Sequence, residues 1–529
     1  MLKRLVTYQV EHIRSVLQLI DIECASLTRE CMGEAKRRGT KAQRVAALLD
    51  ESGVVQMTAE RYNAFIAWTR SPIANVVGIE LEFFSDKAET LIGVLTKDRF
   101  DRDFGFVILG RDLKGRFRCI DVNCSMTRTN ARHTLLASFR KHIASGESVF
   151  PQGDEKTDKA GVALFDTKLP IEQQHPAFHM LCTRPHWVPA RAIMSEMMRH
   201  FVDVDGNFVE QFQTTAFDAR IWELYLYAAL LELGLFVNKD HEAPDFEVSD
   251  GQNKVFVEAV IVGPSPNDPP LDPPKSHTPI RRTLEEVKEL LKTRAPIRFG
   301  SALYSKLNRR TKYWDLEHVK GHPLVFAVAD FHEEQSMTWT SPALLEYLYA
   351  VTHDFIYDEA GQLVITPLKI ETHEYQGKVI PSGYFFQPGA ENVSAVLFSS
   401  SGTISKFNRM GQLAGFGLSD QKIFRTGVKH RHDPNAAIPE PFFHEVKQGV
   451  VTETWAEGLS MFHNPNAKHP INPNMFPGIA HHWFEDGIVK SLLPEFHVYN
   501  SFTWNMVPTD DDEPGDELAP RKVAAGENK

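Results

Sequence analysis

Apolar positions along the chain change period several times, and each change predicts an element. Residues 76–84, 91–95, 104–109 and 116–122 are strand-like runs, with Asp-, Lys- and Gly-bearing turns between them such as Asp112-Leu113-Lys114-Gly115. A helical pattern over 130–144 closes this unit, so residues 61–147 are expected to form a small α+β accessory domain. Ahead of it, residues 1–60 predict a helical segment, with Leu5, Ile13, Val16, Leu17 and Ile20 at helical spacing. A basic knot at 32–38 reads as a solvated helix end. The acids Asp98, Asp101 and Asp103 alternate with Arg99 and Arg102 and read as a solvated turn.

Residues 148–184 begin with a polar, Gly- and Lys/Asp-rich stretch and predict a linker. A larger domain is expected over 185–508, with its core at 216–331. That core opens with 217–233, apolar nearly all round and stopped by Gly234, which predicts a buried helix. Glu223 lies inside this apolar field. A short strand at 235–237 follows, then the runs 243–248 and 254–262, joined by Ser249-Asp250-Gly251-Gln252-Asn253 as a hairpin. Residues 263–279 hold seven prolines and predict a surface loop. A helix over 301–314 leads to 323–330, a continuous apolar run of the kind buried on both sheet faces. Farther on, 393–398 repeats that pattern, and the C-terminal segment is expected to extend the same sheet. Lys406-Phe407-Asn408-Arg409 is expected to reach back to the site or to DNA. His463-Asn464-Pro465-Asn466 reads as a turn, and 509–529 as a disordered acidic tail.

Composition narrows the function classes. The 529 residues are 42% hydrophobic and 24% charged, which excludes a collagen, a coiled-coil rod and a wholly disordered chain. A formal charge of −11 excludes a uniformly basic nucleic-acid coat. Residues 281–320 depart from it, with eleven Lys/Arg against five acids, a local patch suited to phosphate. Five cysteines at irregular spacing indicate neither a disulfide framework nor a zinc site. The N-terminus is not a signal peptide and no 18 apolar residues run together, so a cytoplasmic protein without membrane spans is expected.

Two acids stand in strands that otherwise call for burial, Asp245 and Glu258. Neighbouring strands bring such side chains close, where they repel unless a cation intervenes. Oxygen ligands of this kind suit Mg²⁺, with Mn²⁺ as a substitute.

The order of a helix bearing Glu223, a strand, Pro244-Asp245, Glu258, a helix and a strand resembles the PD-(D/E)XK nuclease superfamily, the restriction-endonuclease-like fold. The resemblance covers roughly 115 residues and implies an α/β core (α+β overall) with a mixed central sheet flanked by helices. It implies that Asp245 and Glu258 bind Mg²⁺ and that Glu223 assists. The motif lysine should stand two residues after Glu258, where this chain has Val260. Lys306 or Lys312, from the following helix, is expected in its place, with Lys306 preferred. Arg281, Arg282, Arg309 and Arg310 are the candidate nucleic-acid contacts. The implied activity is Mg²⁺-dependent hydrolysis of nucleic-acid phosphodiester bonds, DNA first, in host defence or DNA processing. The alternative is a nuclease-fold module that binds nucleic acid or protein without cutting. A homodimer and a separate ATPase or defence partner complete the expectations.

Overall fold

The computed structural model describes residues 53–156, 160–265, 283–333 and 335–506. Most of the expected N-terminal helical segment, the basic knot, most of the proline-rich loop, Arg281, Arg282 and the acidic tail lie outside these residues. The chain is mixed α+β. Five strands in sequence order form an antiparallel sheet: β1 (Val54–Met57), β2 (Gly78–Asp86), β3 (Leu91–Asp98), β4 (Phe104–Arg111) and β5 (Phe117–Met126). Helices α1 (Ala59–Ile66) and α2 (Pro72–Val77) separate β1 from β2, and α3 (Arg128–Ser145) follows β5. Alternation along β3 decides the packing. Leu91 and Leu95 meet Leu135 and Phe139 of α3, while Ile92 and Val94 join the cluster of Tyr62 and Phe65 from α1.

Helices α4 (Pro176–Thr183), α5 (Val188–Met198) and α6 (Phe208–Gln213) pack with α7 (Phe217–Glu232) into one apolar cluster. The stretch 148–184 therefore differs from a free linker, because Leu164, Phe178 and Leu181 are buried in that cluster. Its polar composition conceals apolar anchors spaced too widely to show a period.

Next come β6 (Phe236–Asn238), β7 (Phe246–Ser249) and β8 (Lys254–Val262), then α8 (Leu284–Lys292), α9 (Arg294–Leu307) and β9 (Leu324–Asp330). Helix α10 (Ser341–Tyr349) precedes two hairpins, β10 (Val351–Tyr357) with β11 (Leu363–Lys369), and β12 (Thr372–Tyr375) with β13 (Lys378–Pro381). The remainder is β14 (Ala395–Ser399), α11 (Ile404–Leu413), β15 (Lys422–Lys429), β16 (Glu440–Glu445), β17 (Leu459–His463), β18 (Ala480–Glu485), β19 (Ile488–Leu492) and β20 (Val498–Met506).

Eight of these strands form a mixed sheet in the order β19-β18-β17-β14-β9-β8-β7-β6. At its centre β8, β9 and β14 run parallel, with Glu258 opposite Phe326 and Ala395 opposite Val325. Every residue of β9 and β14 is buried, as their apolar runs 324–329 and 395–398 require, and the polar residues that end them, Asp330 and Ser399, are hydrogen-bonded to Thr340 and Tyr225. The cluster containing α7 covers one face of the sheet, and that of α9 and α10 covers the other. The C-terminal segment extends this sheet through β14, β17, β18 and β19, as expected.

The stretch 406–409 requires a correction. Lys406 and Arg409 do not reach toward the acids at β8 or toward solvent; both are buried on α11. Lys406 Nζ lies 2.6 Å from Glu453 Oε1, Arg409 grips both oxygens of that carboxylate, and Arg425 of β15 joins them. The sequence offers these cations to the acids or to DNA because their buried counterion, Glu453, is remote in the chain.

Candidate active site

Helix α7 is fixed on the central sheet by Trp222, whose Nε1 donates to the carbonyl of Ala327 in β9 (2.9 Å). The adjacent Glu223 is buried, and a buried carboxylate requires partners. It has two. Arg220 contacts Oε2 from one turn earlier, and Lys239, immediately after β6, contacts Oε1. The Lys239 ammonium also lies 4.7 Å and 4.5 Å from the ring centres of Phe201 and Phe246, so it is held between aromatic faces.

Asp245 lies one residue ahead of β7 rather than within it. Its Oδ2 accepts the Ala259 backbone N–H at 2.7 Å, which ties the carboxylate to β8 one residue after Glu258. Glu258 is buried on β8. Its Oε1 accepts from Lys306 Nζ of α9 and from the Tyr313 hydroxyl, each at 2.6 Å. Arg309 lies over the Tyr313 ring, 4.2 Å from its centre. A loop contact closes one side: the rings of His241 and His318 stack at 3.7 Å, and His318 Nε2 is 2.9 Å from the carbonyl of Ala243.

Electrostatics join the three acids. Burial, then the charge of Glu258, then that of Glu223 push the Asp245 carboxyl up to about 7, against the Ala259 N–H and Lys239, which lower it. The same Glu258 charge, after burial, raises the Tyr313 phenol above its ordinary range. A pocket opens onto two of the acids, Glu223 and Asp245, lined among others by Asn207, Arg220, Lys239 and His241.

The expected residues thus divide. Glu223, Asp245, Glu258 and Lys306 come together. Lys312 does not: its ammonium donates to the carbonyl of Leu307 (2.7 Å). Helix α9 ends at Leu307, short of the expected 314, and Asn308 stands at its C-cap, so Lys312 lies beyond the helix. Arg310 is exposed near the end of the same segment. Lys239, Arg220 and Tyr313 escaped the sequence reading. No periodic signal marks a lysine just after a three-residue strand.

Among the described residues, no three His, Cys, Asp or Glu side chains are disposed as a ready-made metal-ligand group. Glu223 is engaged by two cations. Glu258 Oε1 is in turn held by Lys306 and Tyr313, and Asp245 Oδ2 by the Ala259 N–H, so this pair would offer Mg²⁺ its other two oxygens, in keeping with an ion commonly held by one or two carboxylates with substrate phosphate and water filling the other positions. No family model, curated protein or solved structure matches the chain. Among the described residues, no helix is long and apolar enough to cross a membrane.

Proposed function

We propose that the chain is a cytoplasmic Mg²⁺-dependent nuclease with a restriction-endonuclease-like core, hydrolysing phosphodiester bonds of DNA in host defence or DNA processing. The observation that carries this reading is geometric: the Ala259 N–H ties the Asp245 carboxylate to β8 one residue after the buried Glu258, which Lys306 of the following helix contacts at 2.6 Å. Arg220, Lys239 and Lys306 face these acids, and a divalent ion between Asp245 and Glu258 would relieve the repulsion that remains between that pair.

Asp245 and Glu258 would hold the ion, with Mn²⁺ as a substitute, and Glu223 would add field from behind them. Mg²⁺ bound there supplies Lewis-acid polarisation of the scissile phosphodiester. The Ala259 N–H keeps Asp245 oriented. Tyr313 and Lys306 both hold Oε1 of Glu258, which keeps the Lys306 ammonium beside the acids, where it would steady the attacking water or the charge developing on phosphate. Arg309 and the exposed Arg310 would attract the substrate backbone.

The direct test incubates purified full-length chain with linear and circular DNA and with RNA in Mg²⁺ or Mn²⁺. Cleavage is expected, reduced by about 100-fold or more in Asp245→Asn and Glu258→Gln, in line with removal of a group that stabilises the transition state. Intact substrates together with absent metal binding would overturn the proposal. Val260 at the motif position of the lysine favours a second reading, a nucleic-acid- or protein-binding scaffold. In that case Asp245→Ala leaves nucleic-acid binding unchanged and there is no cleavage to lose.

A further inference from the structure

Between β14 and α11 the chain runs through Ser400-Ser401-Gly402-Thr403, and this loop holds more hydrogen-bond donors than the protein engages. Ser400 and Ser401 are 6% and 4% exposed, and neither hydroxyl has a partner among the described residues. Buried hydroxyls are normally satisfied, so two orphans in succession mark a place for a polar ligand. Both lie beside Gly458, just ahead of β17: a Cβ added there would stand 3.2 Å from Ser401 Oγ and 4.0 Å from Ser400 Oγ. Backbone donors of the same loop are also spare. Thr403 donates its N–H to the Ser401 carbonyl (2.8 Å) and Lys406 to the Thr403 carbonyl (2.9 Å). The N–H groups of Gly402, Ile404 and Ser405 have no acceptor among the described residues. Thr403, the N-cap of α11, makes no side-chain capping bond, so the first turn of a ten-residue helix is left open.

The charge nearby has the sign that an anion needs. Lys406 in the first turn of α11, Arg409 and Arg425 are all buried, and the carboxylates that contact them are two, Glu453 and Glu457. Glu232, the third acid of this region, has its Oε2 on the Ala456 N–H instead (2.9 Å), and burial pushes its carboxyl up, toward the neutral form. The cations therefore exceed their contacting carboxylates by one, and a buried charge calls for a counterion. Spare N–H groups at a helix start, in a positive field, suit a tetrahedral oxyanion. Access selects its form. Ser400 to Gly402 are buried whereas Thr403 to Ser405 are half-buried, so the site opens at the helix start. It takes the small end of a ligand and not a diester with chain on both sides.

We infer that the loop 400–405 binds a phosphate group, free or at the terminus of a larger molecule, through Ser400 Oγ, Ser401 Oγ and the open N–H groups at the start of α11. The inference does not depend on the nuclease reading, since no group that holds Asp245 or Glu258 takes part.

Equilibrium dialysis of the full chain at fixed ionic strength, against inorganic phosphate and separately against adenosine 5′-monophosphate, is expected to show one saturable site in the micromolar to millimolar range. Inorganic phosphate bound as tightly as the nucleotide, or more so, identifies the free ion as the ligand. Tighter binding of the nucleotide identifies a terminal phosphomonoester. Ser400→Ala with Ser401→Ala removes two donors without adding bulk and should weaken binding by about tenfold or more. Thr403→Asp offers a carboxylate to the same N–H groups. It should raise the thermal midpoint and abolish phosphate binding together, a pairing that a misfolded variant cannot produce. Absence of saturable binding of either probe overturns the inference, as does an affinity that either variant leaves unchanged.

Discussion

Asp245 is the residue on which the proposed chemistry turns, because its carboxyl answers to burial, Glu258 and Glu223 together. With its carboxyl pushed up to about 7 by burial and the two acids, it carries a proton at mildly acidic pH, and a divalent ion bound there would have to displace that proton. Mn²⁺ affinity is therefore expected to fall about tenfold per pH unit below 7 and to level off above it. Calorimetry in buffers of different ionisation enthalpy checks this through the proton released; a pH-independent affinity without proton release would contradict it. The two lysines divide similarly. Lys306→Ala should lower cleavage by about 100-fold, the scale of a lost charge-stabilising group, while Lys312→Ala should leave the turnover rate near that of the unaltered chain. Equal losses in single-turnover assays would remove the distinction. From sequence, Asp245 and Glu258 stood out because acids in apolar strands are rare. Lys239 did not, since its meaning lies in Glu223, sixteen residues earlier and on another element.

At the scale of elements, the strong periodic signals held. Helix α7, the β7–β8 hairpin and the buried strands β9 and β14 stand where apolar continuity and turn residues place them. Boundaries moved where tertiary contacts set them, as for α9, which begins at Arg294 and ends at Leu307. The junction of α11 with β15 was illegible because its order comes from ions remote in sequence. Burial would raise the Glu453 carboxyl, yet Arg409, Arg425 and Lys406 hold it well below the usual carboxylate range. Glu453→Gln leaves three buried cations short of a counterion and should cost about 3–5 kcal/mol, read as a lowered urea midpoint. A midpoint within error of the parent would show the cluster to be solvated. Packing is equally tight at Gly402, between β14 and α11, where an added Cβ would come within 2.5 Å of the Trp222 ring. Gly402→Ala should therefore destabilise the docking of α7 as well as its own loop.

For the whole molecule, the one mixed sheet ties the C-terminal third to the acid-bearing strands, so stability and site geometry are coupled. A line of histidines at the β17–β18 end makes that stability depend on pH. Burial lowers His463 to about 4, His482 to about 3 and His497 to about 4, each further depressed by neighbouring histidines. Their folded values lie below the unfolded value near 6.5, so the unfolded chain takes protons first. Stability from these groups is present above about pH 6.5 and is lost as pH falls toward 4, at up to about 1.4 kcal/mol per pH unit for each. Asp245, raised to about 7, and Asp218, raised to about 6, act in the opposite sense, as do Glu232 and Glu346, but the histidines lowered by burial, among them His175, His200, His353 and His373, outnumber these carboxyls. Thermal midpoints should accordingly drop between pH 7 and pH 5, and a flat or rising profile would contradict this.

The proposed shared cation is tested most directly by titrating Mn²⁺ into the unaltered chain, Asp245→Asn, Glu258→Gln and Glu223→Gln at pH 8, with free ion followed by electron paramagnetic resonance. About one tightly held ion per chain is predicted, lost in the first two variants and weakened in the third, as expected where two carboxylates ligate and one acts through its field. No bound ion in the unaltered chain, or equal binding in all four proteins, would contradict it.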